Sequence, residues 1–287
     1  MGVVQPVGYR HGPRAAALAV LRYGALGIGA VIFLLPFYLM VRNGLSTQRE
    51  ITAPDWQLFP GSPQWGNVER LFRNPSVPMG TALLNSVLVS TLQTLGTLLL
   101  TAMAGYGLAR IPYRHAGRVF VAIVVTLMVP TAVTFVPSFV LVSTLGWVST
   151  LRGLIVPGLF SGLAAFLFRQ YFVGFPRELE DAARVDGLSY WGVFWRIVLP
   201  NSASFVAAIG LITFIASWNG FLWPLVIAQD QSSWTVQIAL SSYLNAQSPR
   251  MELLFAGAAI SILPLMILFI FLQRFIVQGV EQTGING

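Results

Sequence analysis

Apolar residues run along this chain in long blocks, and the polar residues gather between them. The blocks cover about 18–41, 82–108, 119–142, 153–173, 204–227 and 253–276. Each is long enough to cross the roughly 30 Å hydrocarbon core of a bilayer as a helix. Lipid offers backbone amides no partner, so such blocks must satisfy their hydrogen bonds internally. The pattern predicts an all-α, polytopic membrane protein with six transmembrane helices. The stretch 42–80 carries Asp55, Glu69, Arg70, Arg73 and the tryptophans Trp56 and Trp65, which suits an interfacial or extracytoplasmic loop. A short basic turn with Arg110, Arg114, His115 and Arg118 follows the second block. Pro36, Pro130, Pro137, Pro157, Pro224 and Pro264 fall within blocks and can kink spans around a cavity, though proline is also common in membrane helices.

Residues 1–17 hold Arg10, His11 and Arg14 and no acid before the first apolar block, as a signal sequence would. That block is too long for a signal core and no small-x-small site follows it. The expectation is an uncleaved first span behind a cytoplasmic segment 1–17, with residues 18–287 forming one six-span domain.

Composition narrows the class. Of 287 residues, 55% are hydrophobic and 9% charged, against roughly 25% charged in soluble domains. The absence of cysteine excludes disulfides, iron–sulfur clusters and thiolate metal sites. All seventeen basic residues are arginine, so a phosphate-binding loop ending in Gly-Lys-Ser/Thr cannot exist. If nucleotide drives this protein, another subunit binds it. The formal charge of +7 is scattered among spans, which fits membrane topology better than nucleic acid. With six spans, eleven arginines fall on the N-terminal side of the membrane and six on the other. The excess marks the first side as cytoplasmic, with both termini there. The spans hold almost no ionisable groups at depth, and both histidines, His11 and His115, lie outside them, so a proton relay has no candidates.

The most densely charged run is Pro176 to Pro200, within the inter-span loop 174–200. It reads as two short helices broken at Gly187, Pro176 opening the first and Pro200 closing the second. Glu178, Glu180 and Asp181 complement the positive end of the first helix dipole. Glu180 and Arg184, four residues apart, can pair. Ala182 and Ala183 leave a smooth patch, and Gly187 permits a sharp reversal. The second helix offers Trp191, Phe194, Trp195 and Ile197. Chemistry alone leaves two readings open for it: a helix lying in the lipid interface, or a docking surface for a partner.

The run Asp181-Ala-Ala-x-x-Asp186-Gly187, followed by Ile197-x-Leu199-Pro200, resembles the Glu-Ala-Ala loop of inner-membrane permeases from binding-protein-dependent ABC importers. Where the family usually has Glu, this chain has Asp181, with Glu180 beside it. The likeness extends to Asn85-Ser-Val-Leu-Val-Ser, Ala104-Gly-Tyr-Gly-Leu-Ala-Arg110, Val129-Pro-x5-Val-Pro-Ser, Ser217-Trp-Asn-Gly-Phe-Leu-Trp-Pro224 and Arg274-Phe-Ile-Val-Gln-Gly279. Together these look like the carbohydrate branch, in the subfamily of the smaller permease subunit of maltose importers. The ending Thr283-Gly-Ile-Asn-Gly departs from that subfamily's Lys-Gly.

The resemblance implies a type I importer permease fold and a transport subunit with no catalytic residue and no metal site. ATP and Mg would sit on a cytoplasmic ATPase dimer. A second permease and an extracytoplasmic sugar-binding protein would complete the assembly in the bilayer of the inner membrane. It assigns Glu180, Asp181, Ala182, Ala183, Asp186 and Gly187 to docking on the ATPase. Trp218 and Asn219 are candidates for the substrate path, since an aromatic beside an amide suits a sugar; Asn219 bonding a neighbouring span is the alternative. The segment 228–252, with Trp234, Tyr243, Asn245 and Gln247, would reach toward the binding protein. Other solute classes (peptide, phosphate, amino acid) share the loop motif. An integral-membrane enzyme is a further alternative, although the acid-rich run does not look like a magnesium site.

Overall fold

The computed structural model describes residues 13–245 and 249–283. Among them every regular element is a helix. Arg10, His11, Gln247 and the last four residues lie outside the described residues.

The first span, α1 (Pro13–Gly44), is exposed along most of its length; its C-terminal end packs on a later helix, α15. Two short helices follow, α2 (Gln48–Thr52) and α3 (Gly66–Arg73). The Asn67 amide on α3 donates to the carbonyls of Gly44 and Ser46 at 2.8 and 2.9 Å, which ties this segment to the end of α1. The second span is one helix of 32 residues, α4 (Met79–Arg110). Next come α5 (Ala116–Leu127), α6 (Thr131–Thr144), α7 (Leu151–Ile155) and α8 (Gly162–Val173). The charged loop supplies α9 (Arg177–Val185) and α10 (Tyr190–Val193), and α11 (Leu199–Asn201) leads into α12 (Ala203–Trp218). The remainder is α13 (Leu222–Ile227), α14 (Val236–Asn245), α15 (Met251–Ser261) and α16 (Leu263–Thr283).

Four stretches are each long and apolar enough to cross a membrane: Ala17–Gly44, Met79–Arg110, Leu151–Val173 and Met251–Phe275. Six result when each of two bent pairs counts as one span. The first of these bends and a separate helix break revise two sequence expectations. The block 119–142 is not one helix: α5 and α6 meet at 99°. Pro130 lacks the amide that would continue the ladder and forces Val129 out of the helical region. The block 204–227 also divides. Its helix ends at Trp218, and α13 starts afresh at Leu222 after Asn219-Gly220-Phe221.

Three apolar clusters hold the bundle among the described residues, the smallest of them around Val89, Val142, Leu154 and Ile227. Of the larger two, one joins α3, α12, α14 and α15 through Leu71, Phe214, Trp218, Tyr243 and Leu253. The other joins α4, α8, α12 and the charged loop through Tyr106, Phe168, Phe172, Phe194 and Ile209. Tyr243, expected to reach out of the membrane toward a partner, is buried in the first. Helices α4 and α8 approach closely at Gly105, where an added Cβ would stand 2.6 Å from the Phe168 Cβ and 2.8 Å from the Arg169 amide nitrogen. That neighbour is largely backbone and cannot give way.

Gly105→Leu is therefore expected to part α4 from α8 and to cost about 1–3 kcal/mol or more, read as a lowered midpoint of thermal unfolding in detergent. Gly107→Ala on the same helix meets nothing within 4 Å and is expected to leave the midpoint unchanged or slightly raised. Equal effects of the two would show that packing at Gly105 does not set the spacing.

Candidate functional site

Helix α9 is amphipathic in a way that its sequence only half displays. Pro176 precedes its first turn, where a missing amide costs nothing. Glu180 and Ala183, three residues apart, point inward and are buried, Glu180 at 6% exposure. The Glu180 carboxylate forms an ion pair with the Arg110 Nε at 2.9 Å and accepts a hydrogen bond from the Tyr106 hydroxyl at 3.3 Å. Arg110 also donates to the carbonyl of Phe175. One guanidinium at the end of α4 thus holds both the entry to α9 and its first turn. Burial pushes the Glu180 carboxyl above its ordinary pKa, while Arg110 and the Tyr106 hydrogen bond pull it back down.

The Glu180–Arg184 pairing that the spacing suggested is not made. Arg184 instead lies over the Tyr190 ring, 4.7 Å from its centroid. Asp181, Ala182 and Asp186 are exposed, and Val185 is 88% exposed. Of the two adjacent acids, Asp181 is on the free face and Glu180 on the fastened one. The helix ends at Gly187, whose φ is +86°. The Leu188 amide bonds the Ala183 carbonyl and the Gly187 amide bonds the Arg184 carbonyl, closing the turn as a left-handed glycine cap. Nothing lies within 4 Å of a Cβ at Gly187, so backbone conformation, not space, calls for glycine there.

Beyond the turn, Ser189 accepts from the Gly192 amide and caps α10. The expected aromatic face is divided. Phe194 is buried against Tyr106, with ring centroids 5.2 Å apart, whereas Trp191 is exposed. Pro200 does not close this helix. Residues Phe194–Val198 form a widened turn in which the Leu199 amide reaches back to the Phe194 carbonyl. The wider turn accommodates the proline ring and lets the chain continue into α11.

The second feature is a cavity of about 420 Å³ inside the bundle. Ser86, Ser90, Gln93 and Thr97 line it from α4, Thr213 and Ser217 from α12, and Trp223 from α13. The Gln93 amide donates to the Leu154 carbonyl at 3.0 Å and accepts from the Ser217 hydroxyl. The Trp223 indole N–H donates to the Gly153 carbonyl at 3.0 Å. Neither path candidate lines this cavity. Trp218 is 2% exposed and stacks on Phe214 in the core, while Asn219 is exposed and accepts from Gln237 at 3.3 Å. The cavity residues left a mark that could have been read: Ser86, Ser90, Gln93 and Thr97 recur every three or four residues along one side of an otherwise apolar span. Among the described residues no group of three metal-ligating side chains occurs.

A bent multi-pass bundle with a cavity lined in part by hydroxyls and an amide, and with a charged helix fastened to the end of α4, fits an integral membrane protein of the transport class. The chain belongs to the family described as the binding-protein-dependent transport system inner membrane component, whose model matches residues 101–282. The arabinooligosaccharides transport system permease protein AraQ of Bacillus subtilis is 30% identical over 97% of this chain and 99% of the relative. The lactose transport system permease protein LacG of Rhizobium radiobacter is 34% identical over 91% and 94%. The sn-glycerol-3-phosphate transport system permease protein UgpE of Yersinia pestis is 32% identical over 89% and 93%. The fold is similar to that of a chain in a bacterial ABC transporter involved in the import of the acidic polysaccharide alginate, with TM-score 0.78, 20% identity, and coverage of 92% of this chain and 98% of that one.

Glu180→Ala would leave Arg110 buried without its counter-charge, at a cost of about 3–5 kcal/mol. The expected reading is a loss of hydrogen-exchange protection across 177–188. The paired apolar variant Arg110→Met with Glu180→Leu should recover most of it. Unchanged protection in Glu180→Ala would mean that apolar contacts alone hold α9.

Proposed function

We propose that this chain is a transmembrane permease subunit of an ATP-driven, binding-protein-dependent sugar importer. It forms half of the translocation pathway beside a second, different permease. A cytoplasmic ATPase dimer, which carries ATP and Mg, docks on loop 174–200, and an extracytoplasmic binding protein delivers the sugar. The chain itself performs no chemistry and lies in the inner membrane of a bacterium or archaeon with both termini in the cytoplasm. Family membership and the printed functions of AraQ and LacG support the sugar assignment. The arginine imbalance supports the orientation.

The observation that carries the reading is the two-faced α9: Glu180 and Ala183 fastened inside, Asp181, Ala182 and Val185 presented outside. A short helix anchored at a span end moves with that span, so a partner seated on its free face displaces the bundle as a rigid body. Asp181, Ala182, Asp186 and Gly187 form the docking face in this reading, and Glu180 and Ala183 hold it in place.

Two variants test it in the complex purified through a tag on this chain and reconstituted in proteoliposomes. Asp181→Lys, at an exposed position, should leave the chain inserted but reduce co-purification of the ATPase. Gly187→Pro should keep insertion and lower ATP-driven sugar uptake at least tenfold. Normal uptake by both variants would sink the coupling role of this loop, and enzymatic activity of the lone chain would favour an integral-membrane enzyme.

A further inference from the structure

We propose that the cavity between α4, α12 and α13 receives one uncharged sugar unit, and that its lining selects neutral solutes over anionic ones. The proposal rests on the importer reading above and adds the class of solute. Two hydroxyls carry it. The Ser90 Oγ on α4 and the Thr235 Oγ1 just before α14 have no hydrogen-bond partner in the protein, and their residues are 1% and 4% exposed. Both line the cavity. A serine or threonine in a helix ordinarily bonds a carbonyl one turn back, as Thr101 does to Thr97 and Thr213 to Ile209. Ser90 does not, and its hydrogen-bonding capacity is left for whatever enters the cavity.

The rest of the lining suits a polyol. Gln93 is held by Leu154 and Ser217, so its position is set before anything arrives. The Trp223 N–H is already committed to Gly153, which leaves its apolar ring as the surface it offers. The volume falls within the range of small-molecule sites. None of the lining residues is ionisable. A sugar can exchange water for these hydroxyls and the ring face. A phosphate or uronate would lose its hydration within the membrane with no counter-charge in this lining. The distinction matters because transport of a phosphorylated solute and of an acidic polysaccharide both appear among the similar proteins.

The chain has no cysteine of its own, so single-cysteine variants report directly. Ser90→Cys and Thr235→Cys, in the co-purified complex in lipid nanodiscs, are treated with a small neutral thiol reagent. Both should react. Millimolar lactose or arabinotriose should slow the reaction at least threefold, and sn-glycerol 3-phosphate at equal concentration should not. Ser76→Cys, in an exposed loop, should react at a rate that no probe changes. In uptake assays Ser90→Ala with Thr235→Val should raise the KM for sugar about tenfold. Protection by glycerol phosphate equal to that by sugar overturns the selectivity. Failure of both cysteines to react, as in a lipid-filled cavity, or reaction slowed by no probe, as in one that takes water only, overturns the site. ATP-driven uptake of a neutral sugar without protection leaves the importer reading standing and removes only this site. No ATP-driven uptake of any probe counts against the importer reading, and this site falls with it.

Discussion

The ion pair between Arg110 and Glu180 is the contact on which the working geometry depends. A helix of nine residues such as α9 does not persist in water on its own propensity. It needs a tertiary tie, and the tie must be directional if the helix is to transmit force. Apolar contacts from Ala183 would hold α9 near the bundle but leave it free to slide. A charge pair with a fixed distance, reinforced by the Tyr106 hydroxyl and by the bond from Arg110 to the Phe175 carbonyl, sets its angle and register. Burial makes the arrangement costly to half-fill, since either charge alone would be stranded away from water.

That pair is mounted on a span that also lines the cavity. Helix α4 is unbroken over 32 residues, about 48 Å at its helical rise. Arg110 stands at one end, and the row Ser86, Ser90, Gln93 and Thr97 runs from near the other end to the middle. Close packing against α8 at Gly105 joins the two regions. In the proposed reading a displacement of α9 would reach the cavity along this stiff element.

The breaks in the other spans have a complementary role. Straight helices packed side by side leave no interior volume. The break after Trp218 puts Gly220 and Trp223 against the cavity, and the interruption between α7 and α8 contributes Gly158 and Ser161. Irregular backbone at membrane depth is tolerated where it faces a polar interior rather than lipid. Proline and glycine are where the bundle departs from regularity and where its internal space lies.

The chain's apolar blocks alone determined that it is helical and that it crosses a membrane, because a bilayer penalises each unpaired amide and charge independently of the fold. Gly187 and the charged run were legible for a similar reason: a left-handed turn and a polar island are local requirements. Which side of a helix faces which neighbour is not local. Adjacent acids Glu180 and Asp181 are nearly identical in sequence terms and differ only because Arg110, some seventy residues earlier, stands beside one of them. Trp218 and Trp223 are both aromatic residues of one apolar block, yet the break between them sends the first into the core and the second to the cavity. The proline at 130 signalled a kink but not its size of 99°. Tertiary structure decided these matters because burial and pairing depend on atoms that the chain brings together only after its spans have assembled.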